Sequence, residues 1–448
     1  MKQRILKWCF VAVFFSASLI LSLGILFAGP SEAGANERLS KTPVFMDKDN
    51  KLNSDFLSDA AAWVGDHFFL RQELITLDNR LTAAFLNTSG AEDVVLGSDG
   101  WLYYGSTMDN YTGQNLMTDR ELFSAATNLE LMANYCREQG RQFLFVIAPN
   151  KNSLYAENMP DTGISNPRQD AESLHKELTT RQVTYADLFA LFDAQEETLY
   201  FAHDSHWNSK GAALGADAIN SAFGRLSNYG RDAFTATAPH RGDLYEMLYP
   251  AGKDPEQDVV FGGKLNFTYA SAATKADSIT LKTEGGGEGS LLAYRDSFGN
   301  LLYPYLADSF ASAHFSRSVR YDLTQPGDFV LIELVERNLR YLVTNLPVMP
   351  APETQQTLPK TVSGTAEFTT GKGPQGYTQV TGILPTAPDT DSRVYLACKD
   401  KTYEAFLTEN NGYGAYIPAG ETAEKLLFNQ NGQTVLYDLE IVKEGESQ

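Results

Sequence analysis

Phe143 to Ala148 is a run of six apolar residues without a polar interruption. A strand of that kind is buried on both faces, the mark of a parallel sheet covered on either side. It follows a segment in which Leu122, Ala126, Leu129, Ala133 and Cys136 recur at helical spacing, closed by Gly140. Cys136 on that face reads as a buried thiol acting as a small hydrophobe. The alternation continues downstream. The pattern predicts a helix over Gln169–Thr180, short strands around Val183–Tyr185 and Leu199–Phe201, and a helical face at Ala212, Ala216, Ile219 and Phe223. A strand at Ser290–Tyr294, a helix from Leu301 and a strand at Phe329–Val335 complete it. Strands alternating with helices imply an α/β fold, a mostly parallel sheet flanked by helices. Residues 225–285, richer in Gly, Thr and Asp, read as an insertion with short strands of its own.

The two ends differ from this middle. Lys2, Arg4 and Lys7 precede an uncharged, mostly apolar run from Trp8 to Ala28, long enough to cross a bilayer core as a helix. The positive flank comes first, so the rest of the chain is expected outside the cytoplasm. Two readings compete: a retained membrane anchor, or a signal peptide cut at the small-residue tract Ala33-Gly34-Ala35. Residues 36–54 read as a polar tether, and Ser54 to Asn87 as helical, with Phe56, Ala60, Trp63, Phe68 and Leu70 near an apolar face. Val94–Leu96 and Trp101–Tyr104 flank a Gly/Asp turn as two short strands. Pro350, Pro352 and Pro359 mark a linker over 348–359. From 360 to 448 the chain is rich in Thr, Val, Tyr and Gly, with one short helical stretch. Strands are expected at Thr361–Thr369, Gly376–Leu384, Arg393–Cys398 and Val435–Val442, hence a small β-sandwich or barrel. Residues 1–35, 36–54, 55–347, 348–359 and 360–448 are thus the expected segments, with 55–347 the main domain.

Charge narrows the function. Lys plus Arg number 36 against 56 Asp plus Glu, a net charge of -20. That excludes nucleic acid as the expected partner, because phosphate binding needs clustered cations. Three cysteines exclude a disulfide scaffold and a Cys-rich zinc module.

Chemistry in an open α/β sheet gathers at the C-terminal ends of its strands. Three segments fall there: Pro149-Asn150-Lys151, His203-Asp204-Ser205-His206-Trp207, and Arg295-Asp296-Ser297-Phe298-Gly299-Asn300. Ser297 sits at a strand-to-helix turn, where a hydroxyl is exposed near the positive end of a helix dipole. It reads as a nucleophile or, with Asp296, as a plain helix cap. A serine needs a base. In an extended segment Asp204 and His206 point to one side, so Asp204 can fix the His206 tautomer and leave Nε2 free for Ser297. Two alternatives stand beside that one. His203, Asp204 and His206 are a metal-ligand set, although no second acidic or His cluster completes it. The segment is also readable as a Trp-anchored loop with satisfied polar groups. No cofactor and no metal are expected. His67, beside Asp66 and near Arg71, reads as structural or interfacial, His175 as solvated on a polar helix face, and His240 and His314 have no clear role.

These residues resemble the SGNH-hydrolase-like proteins with a DHHW motif, related to the periplasmic O-acetyltransferases of alginate biosynthesis. The likeness rests on residues 61–71, Gly100 to Gly105, and Ile147-Ala148-Pro149-Asn150-Lys151 with Tyr155 and Pro160. It continues through Asp204-Ser205-His206-Trp207-Asn208 with Gly211-Ala212, Gly242-Asp243-Leu244, Asp296-Ser297-Phe298-Gly299 and Glu336-Arg337. In that family the Asp-x-His pair precedes the nucleophilic serine, the order found here. The resemblance assigns Asp204, His206 and Ser297 to a triad. Ser205 stands where the motif has a second His.

The resemblance implies an extracytoplasmic O-acetyltransferase that modifies polysaccharide hydroxyls through a Ser297 acyl-enzyme. Backbone N–H groups near Ser297 and Phe298 are expected to hold the oxyanion. Asn150, Lys151 and Arg295 are candidate donors or anion holders, and Trp101, Tyr103, Tyr104 and Trp207 candidate faces for sugar rings, with packing as the alternative for each. One membrane run is too few for an acyl carrier, so a separate membrane acyltransferase is an implied partner. Two other functions share these residues: an acetylesterase with the same triad, and a non-catalytic polysaccharide-binding protein.

Overall fold

A computed structural model describes residues 2–442 except 33, 35–36, 49, 164–167 and 232–233. Its main sheet has seven strands, in the order Tyr185–Ala186, Gln142–Ala148, Phe329–Val335, Ser290–Tyr294, Ser312–Ser316, Thr280–Gly285 and Phe267–Tyr269. The first five run parallel; the last two are an antiparallel edge.

The apolar run at 143–148 shows why that sheet is buried. Phe143, Phe145 and Ile147 pack with Leu122, Leu129, Cys136, Leu174 and Leu178. Leu144, Val146 and Ala148 face the opposite way, onto Ala212, Ala216, Ile219, Leu302 and Leu306. Successive side chains alternate across a strand, so helices on both faces demand an unbroken apolar run. The helix Asp119–Glu138 starts at a capping box: Thr118 accepts the Glu121 N–H, and Glu121 accepts the Thr118 N–H. It ends before Gly140, whose φ of 69° suits glycine.

Several local expectations change. The segment 54–87 is two helices, Phe56–His67 and Arg71–Leu86, because Phe68 is extended and Leu70 takes a left-handed φ of 61°. The second helix turns polar Thr76 and Asn79 inward and leaves Leu74, Leu77, Leu81 and Phe85 exposed. Leu199–Phe201 is not a strand; it holds only the single bridge Tyr200–Trp207. Within 225–285, Phe234–Pro239 pairs with Gln257–Phe261, but Phe267–Tyr269 and Thr280–Gly285 extend the main sheet.

The C-terminal part is a β-barrel. Thr402–Thr408, Val394–Ala397, Lys425–Gln430, Gln433–Ile441, Gly364–Lys372, Tyr377–Ile383 and Gly412–Pro418 pair in that order. Gly412–Pro418 then pairs back onto Thr402–Thr408 through Phe406 and Gly414, which closes the ring. Phe368, Val380, Leu396, Ala415, Leu426 and Phe428 fill it. Among the described residues past 360 there is no helix, so the short helical stretch expected there is absent. The barrel is clasped to the α/β part by Asn128. Its buried amide donates to Leu342 O at 2.9 Å and Leu407 O at 2.8 Å, and accepts the Leu407 N–H at 2.9 Å.

At the other end, Lys7–Ala28 is the one helical stretch among the described residues long and apolar enough to cross a membrane, with mean hydropathy 2.5. Ala33 and Ala35 of the candidate cleavage tract lie outside the described residues. The segment before the first helix pair lies along it: Ser40 donates to Asp66, and Arg71 pairs with Glu37.

Candidate active site

The parallel strands present their C-terminal ends to one edge. Gln142–Ala148 and Ser290–Tyr294 flank Phe329–Val335, so Asn150, Ser297 and Arg337 leave neighbouring strands there. Asp296 braces the middle turn. One carboxylate oxygen accepts the Phe298 N–H at 3.0 Å; the other accepts the Val335 N–H at 2.7 Å and the Asn338 amide at 2.8 Å. Gly299 follows because a Cβ there would fall 2.4 Å from Arg295 Cδ. Its role is close approach. The helix Gly299–Ser309 has Phe298 at its cap position and no side-chain cap hydrogen bond, so Ser297 is not acting as a cap.

Ser297 Oγ instead lies 2.8 Å from His206 Nε2. His206 Nδ1 lies 2.7 Å from Asp204 Oδ1. A carboxylate only accepts, so Nδ1 carries the proton and Nε2 accepts from the serine hydroxyl. The local geometry is a turn rather than the extended segment expected: Asp204 Oδ1 also accepts the His206 N–H at 2.9 Å. This is an Asx-type turn, which places the aspartate and its own i+2 residue together.

Burial alone would raise the Asp204 carboxyl, but hydrogen bonds from His206 and His240 outweigh it and hold it well below the usual range. Burial likewise works against a charged His206, and the Asp204 hydrogen bond and charge overcome it, so His206 is raised. Asp243 stands beside this pair. It accepts the Ser205 N–H at 2.7 Å and the Ser205 hydroxyl at 2.6 Å, and lies 3.6 Å from His206 Nδ1. Burial and the neighbouring Asp204 charge raise its carboxyl. The hydroxyl of Ser205, at the motif's altered position, is therefore tied to Asp243.

Most other candidates are already engaged. Lys151 is buried, and its ammonium donates to the carbonyls of Phe201 at 3.1 Å, Ala202 at 3.0 Å and Asp204 at 2.6 Å. Three acceptors suit three N–H donors, while burial pushes the Lys151 pKa down to about 7. It is a staple for the 201–204 loop and not an anion holder. Arg295 is buried too; it donates to Asn300 at 2.6 Å and Ala276 O at 2.6 Å, and burial lowers it to about 10. Tyr103, 1% exposed, donates to Tyr155 O, and Trp207, 0% exposed, donates to Phe298 O, so neither offers a face to a sugar. The Phe298 N–H is spent on Asp296, which removes it as an oxyanion donor.

Asn150 is different. Arg337 Nη1 donates to its side-chain oxygen at 3.3 Å, and its Nδ2 is buried with no hydrogen-bond partner among the described residues. Arginine only donates, so it turns the amide oxygen toward itself and Nδ2 away. Arg337 in turn lies 5.4 Å over the rings of Tyr104 and Phe298.

His203 does not join Asp204 and His206 as one ligand set. It pairs with Asp254 at 2.6 Å in a separate group with Glu256. That group is committed to the backbone: Glu256 accepts the N–H groups of Ala202 and His203, and Asp254 those of Gly242 and Glu256. His240 and Asp243 are the site residues to which the sequence alone assigns no role, Asp243 standing there only within the segment Gly242-Asp243-Leu244. His240 Nε2 lies 3.0 Å from Asp204 Oδ2, which also accepts the Asp243 N–H at 3.1 Å. Gly242 allows that approach, since a Cβ there would fall 2.2 Å from His203 O.

Residues 94–275 match the family model of the SGNH hydrolase-like domain of acetyltransferase AlgX. Asp204, His206, His240 and Asp243 fall inside that segment, and Ser297 follows it. A curated relative, the probable alginate O-acetylase AlgJ of Pseudomonas putida, is 26% identical over 172 residues, 36% of this chain. The chain spans 44% of the length of that relative. Among solved structures, a DHHW family protein from Eubacterium siraeum is 18% identical with a TM-score of 0.43, covering 57% of this chain and 96% of that one. PatB1 of Bacillus cereus is 20% identical with a TM-score of 0.44, covering 55% and 96%. Over residues 94–275 this chain is similar to the SGNH hydrolase-like domain of acetyltransferase AlgX, and over 172 residues to a probable alginate O-acetylase.

Proposed function

We propose that the chain is an O-acetyltransferase acting on hydroxyls of a cell-surface or exported polysaccharide. The observation that carries this is the unbroken line Asp204 Oδ1–His206–Ser297 Oγ, with contacts of 2.7 and 2.8 Å. Support for acetyl as the group transferred comes from the names of the similar proteins, an acetyltransferase and an alginate O-acetylase.

In this account His206 Nε2 takes the Ser297 proton as Oγ attacks the acyl carbon, and Asp204 stabilises the resulting imidazolium. Asn150 Nδ2 and the Ser297 N–H hold the developing oxyanion. His206 returns its proton to the departing donor group, leaving acetyl on Ser297. A sugar hydroxyl then loses its proton to His206 and attacks the acyl carbon; the Ser297 Oγ–acyl bond breaks and His206 returns the proton to Ser297 Oγ. Residues 55–347 are the catalytic unit and 360–448 a separate β-rich domain. The apolar segment near the N-terminus holds the protein at the membrane, outside the cytoplasm, or is cut to release it. A membrane acyltransferase supplies acetyl.

Purified full-length protein in detergent, given a chromogenic acetyl ester with and without an oligosaccharide, tests this. Ser297-dependent turnover with acetyl on the sugar is expected. Free acetate alone, whatever sugar is offered, makes the chain an esterase. Equal rates for wild type and Ser297→Ala remove the triad and leave a binding protein.

A further inference from the structure

Asp204 carries a second imidazole. His206 occupies Oδ1; His240 occupies Oδ2 at 3.0 Å, where the Asp243 N–H also binds. His240 is itself held in place. Its ring stacks on Phe201 at 3.7 Å and 7° between planes, and its backbone N–H donates to the Glu256 backbone carbonyl at 3.0 Å. A carboxylate pivots about its Cβ–Cγ bond, and contacts on one oxygen alone leave that rotation loose. The His206 ring and N–H hold Oδ1, and the His240 ring and the Asp243 N–H hold Oδ2, so the Oδ1–Nδ1 line is fixed; loss of His240 leaves the single Asp243 N–H on Oδ2 and loosens that rotation.

We infer that His240 is a positioning residue for the base: it locks the Asp204 carboxylate from its far oxygen. This rests on the acyl-transfer reading above and adds a residue to it. The charges facing His240 are the carboxylates of Asp204, Glu256 and Asp258, with Asp243 beyond Asp204. Burial opposes a charged His240, but the Asp204 hydrogen bond and these acidic neighbours outweigh it, so its pKa is raised. Wherever His240 is protonated, its charge disfavours a second proton on His206, in the same sense as the Arg337 charge that already lowers it. Glutamine at 240 keeps a donor and loses the charge; alanine loses both.

The test is the pH profile of Ser297 sulfonylation by phenylmethylsulfonyl fluoride, followed by intact mass on the full-length protein, for wild type, His240→Gln and His240→Ala. His240→Ala is expected to lower the plateau rate about ten- to hundredfold, the range of one charge-assisted hydrogen bond. His240→Gln is expected to keep most of the plateau and to move the acid limb to higher pH. The inference is overturned if both variants reproduce the wild-type plateau and limb. It is equally overturned if both lose rate only in step with a lowered melting temperature, the limb staying in place. Ser297→Ala separates the two levels. Labelling that survives it, or wild type that never labels, refutes the acyl-transfer reading itself and removes the base His240 serves.

Discussion

His206 Nε2 and Ser297 Oγ stand 2.8 Å apart although 91 residues separate them in the chain. Two unrelated local devices produce the contact. An Asx turn sets Asp204 against its own i+2 histidine, and Asp296 ties the serine turn to Val335 at the end of the neighbouring strand and to Asn338 in the turn just past it. Removing either should uncouple serine from base without touching either side chain. Asp296→Ala is therefore expected to lower Ser297 reactivity toward a sulfonyl fluoride by about a hundredfold, scaled from one misplaced reacting group. Unchanged labelling would contradict the brace.

Asn150→Ala tests the oxyanion donor. Loss of one preorganised donor costs about 10²–10³ in kcat. KM for an acetyl ester should move little, because the donor acts on charge that develops in the transition state. Steady-state kinetics on the full-length protein checks the split.

Activity should fall on the acid side at a pH above the ordinary histidine value of about 6.5, because the His206 pKa is raised and its protonated form cannot take the serine proton. Stability carries the opposite sign for the same group. With its folded value above its unfolded one, His206 stabilises fully below about pH 6.5 and loses that contribution as pH rises through the folded value. Asp204, depressed in the fold, stabilises above about pH 3.9 and loses this as pH falls further. Thermal melts of wild type and His206→Ala across pH 5 to 9 should therefore converge at the alkaline end.

Asn128→Ala should destabilise the protein by about 3 kcal/mol, since it strands two carbonyls and one N–H that its buried amide now satisfies. The three bonds join the helix Asp119–Glu138 to Leu342 and to the barrel strand Thr402–Thr408. Chemical unfolding should show the loss, and the barrel and the α/β part should separate into two transitions.

Lys151→Met removes the staple on three carbonyls of the loop that holds Asp204. The expected result is a lower melting temperature and a lower kcat with KM unchanged. A raised KM alone would return Lys151 to substrate binding.

Much of the α/β part was legible because its signals are local. The run 143–148 reads as a doubly buried strand, and its two faces do fall into two different cores. The helix Gln169–Thr180 matches its expected span. The break at Leu70 was not legible, because a leucine with positive φ carries no glycine or proline signal. Three barrel strands were missed: Thr402–Thr408, Gly412–Pro418 and Lys425–Gln430. Gly412 and Gly414 lie in one of these strands, where Thr408 and Leu346 leave no room for a Cβ, and glycine carries no strand signal. In the site, Asp204 and His206 are two residues apart and Ser297 sits at a strand end, so both left local traces. Lys151 and Arg295 were misjudged, because nothing local says that distant backbone carbonyls fold over a charged side chain. His240 and Asp243 reach Asp204 from 36 and 39 residues away, a distance at which spacing carries no message.

The central claim is that Ser297 carries the acetyl group between donor and glycan. Full-length protein mixed with an activated acetyl ester, quenched and mapped by peptide mass spectrometry, reads this directly. The account predicts acetyl on the peptide containing Ser297, none in His206→Ala, and its disappearance when an oligosaccharide acceptor is added, with acetyl recovered on the sugar. Acetyl that stays off Ser297 while the ester is consumed, or that appears equally in His206→Ala, would contradict it.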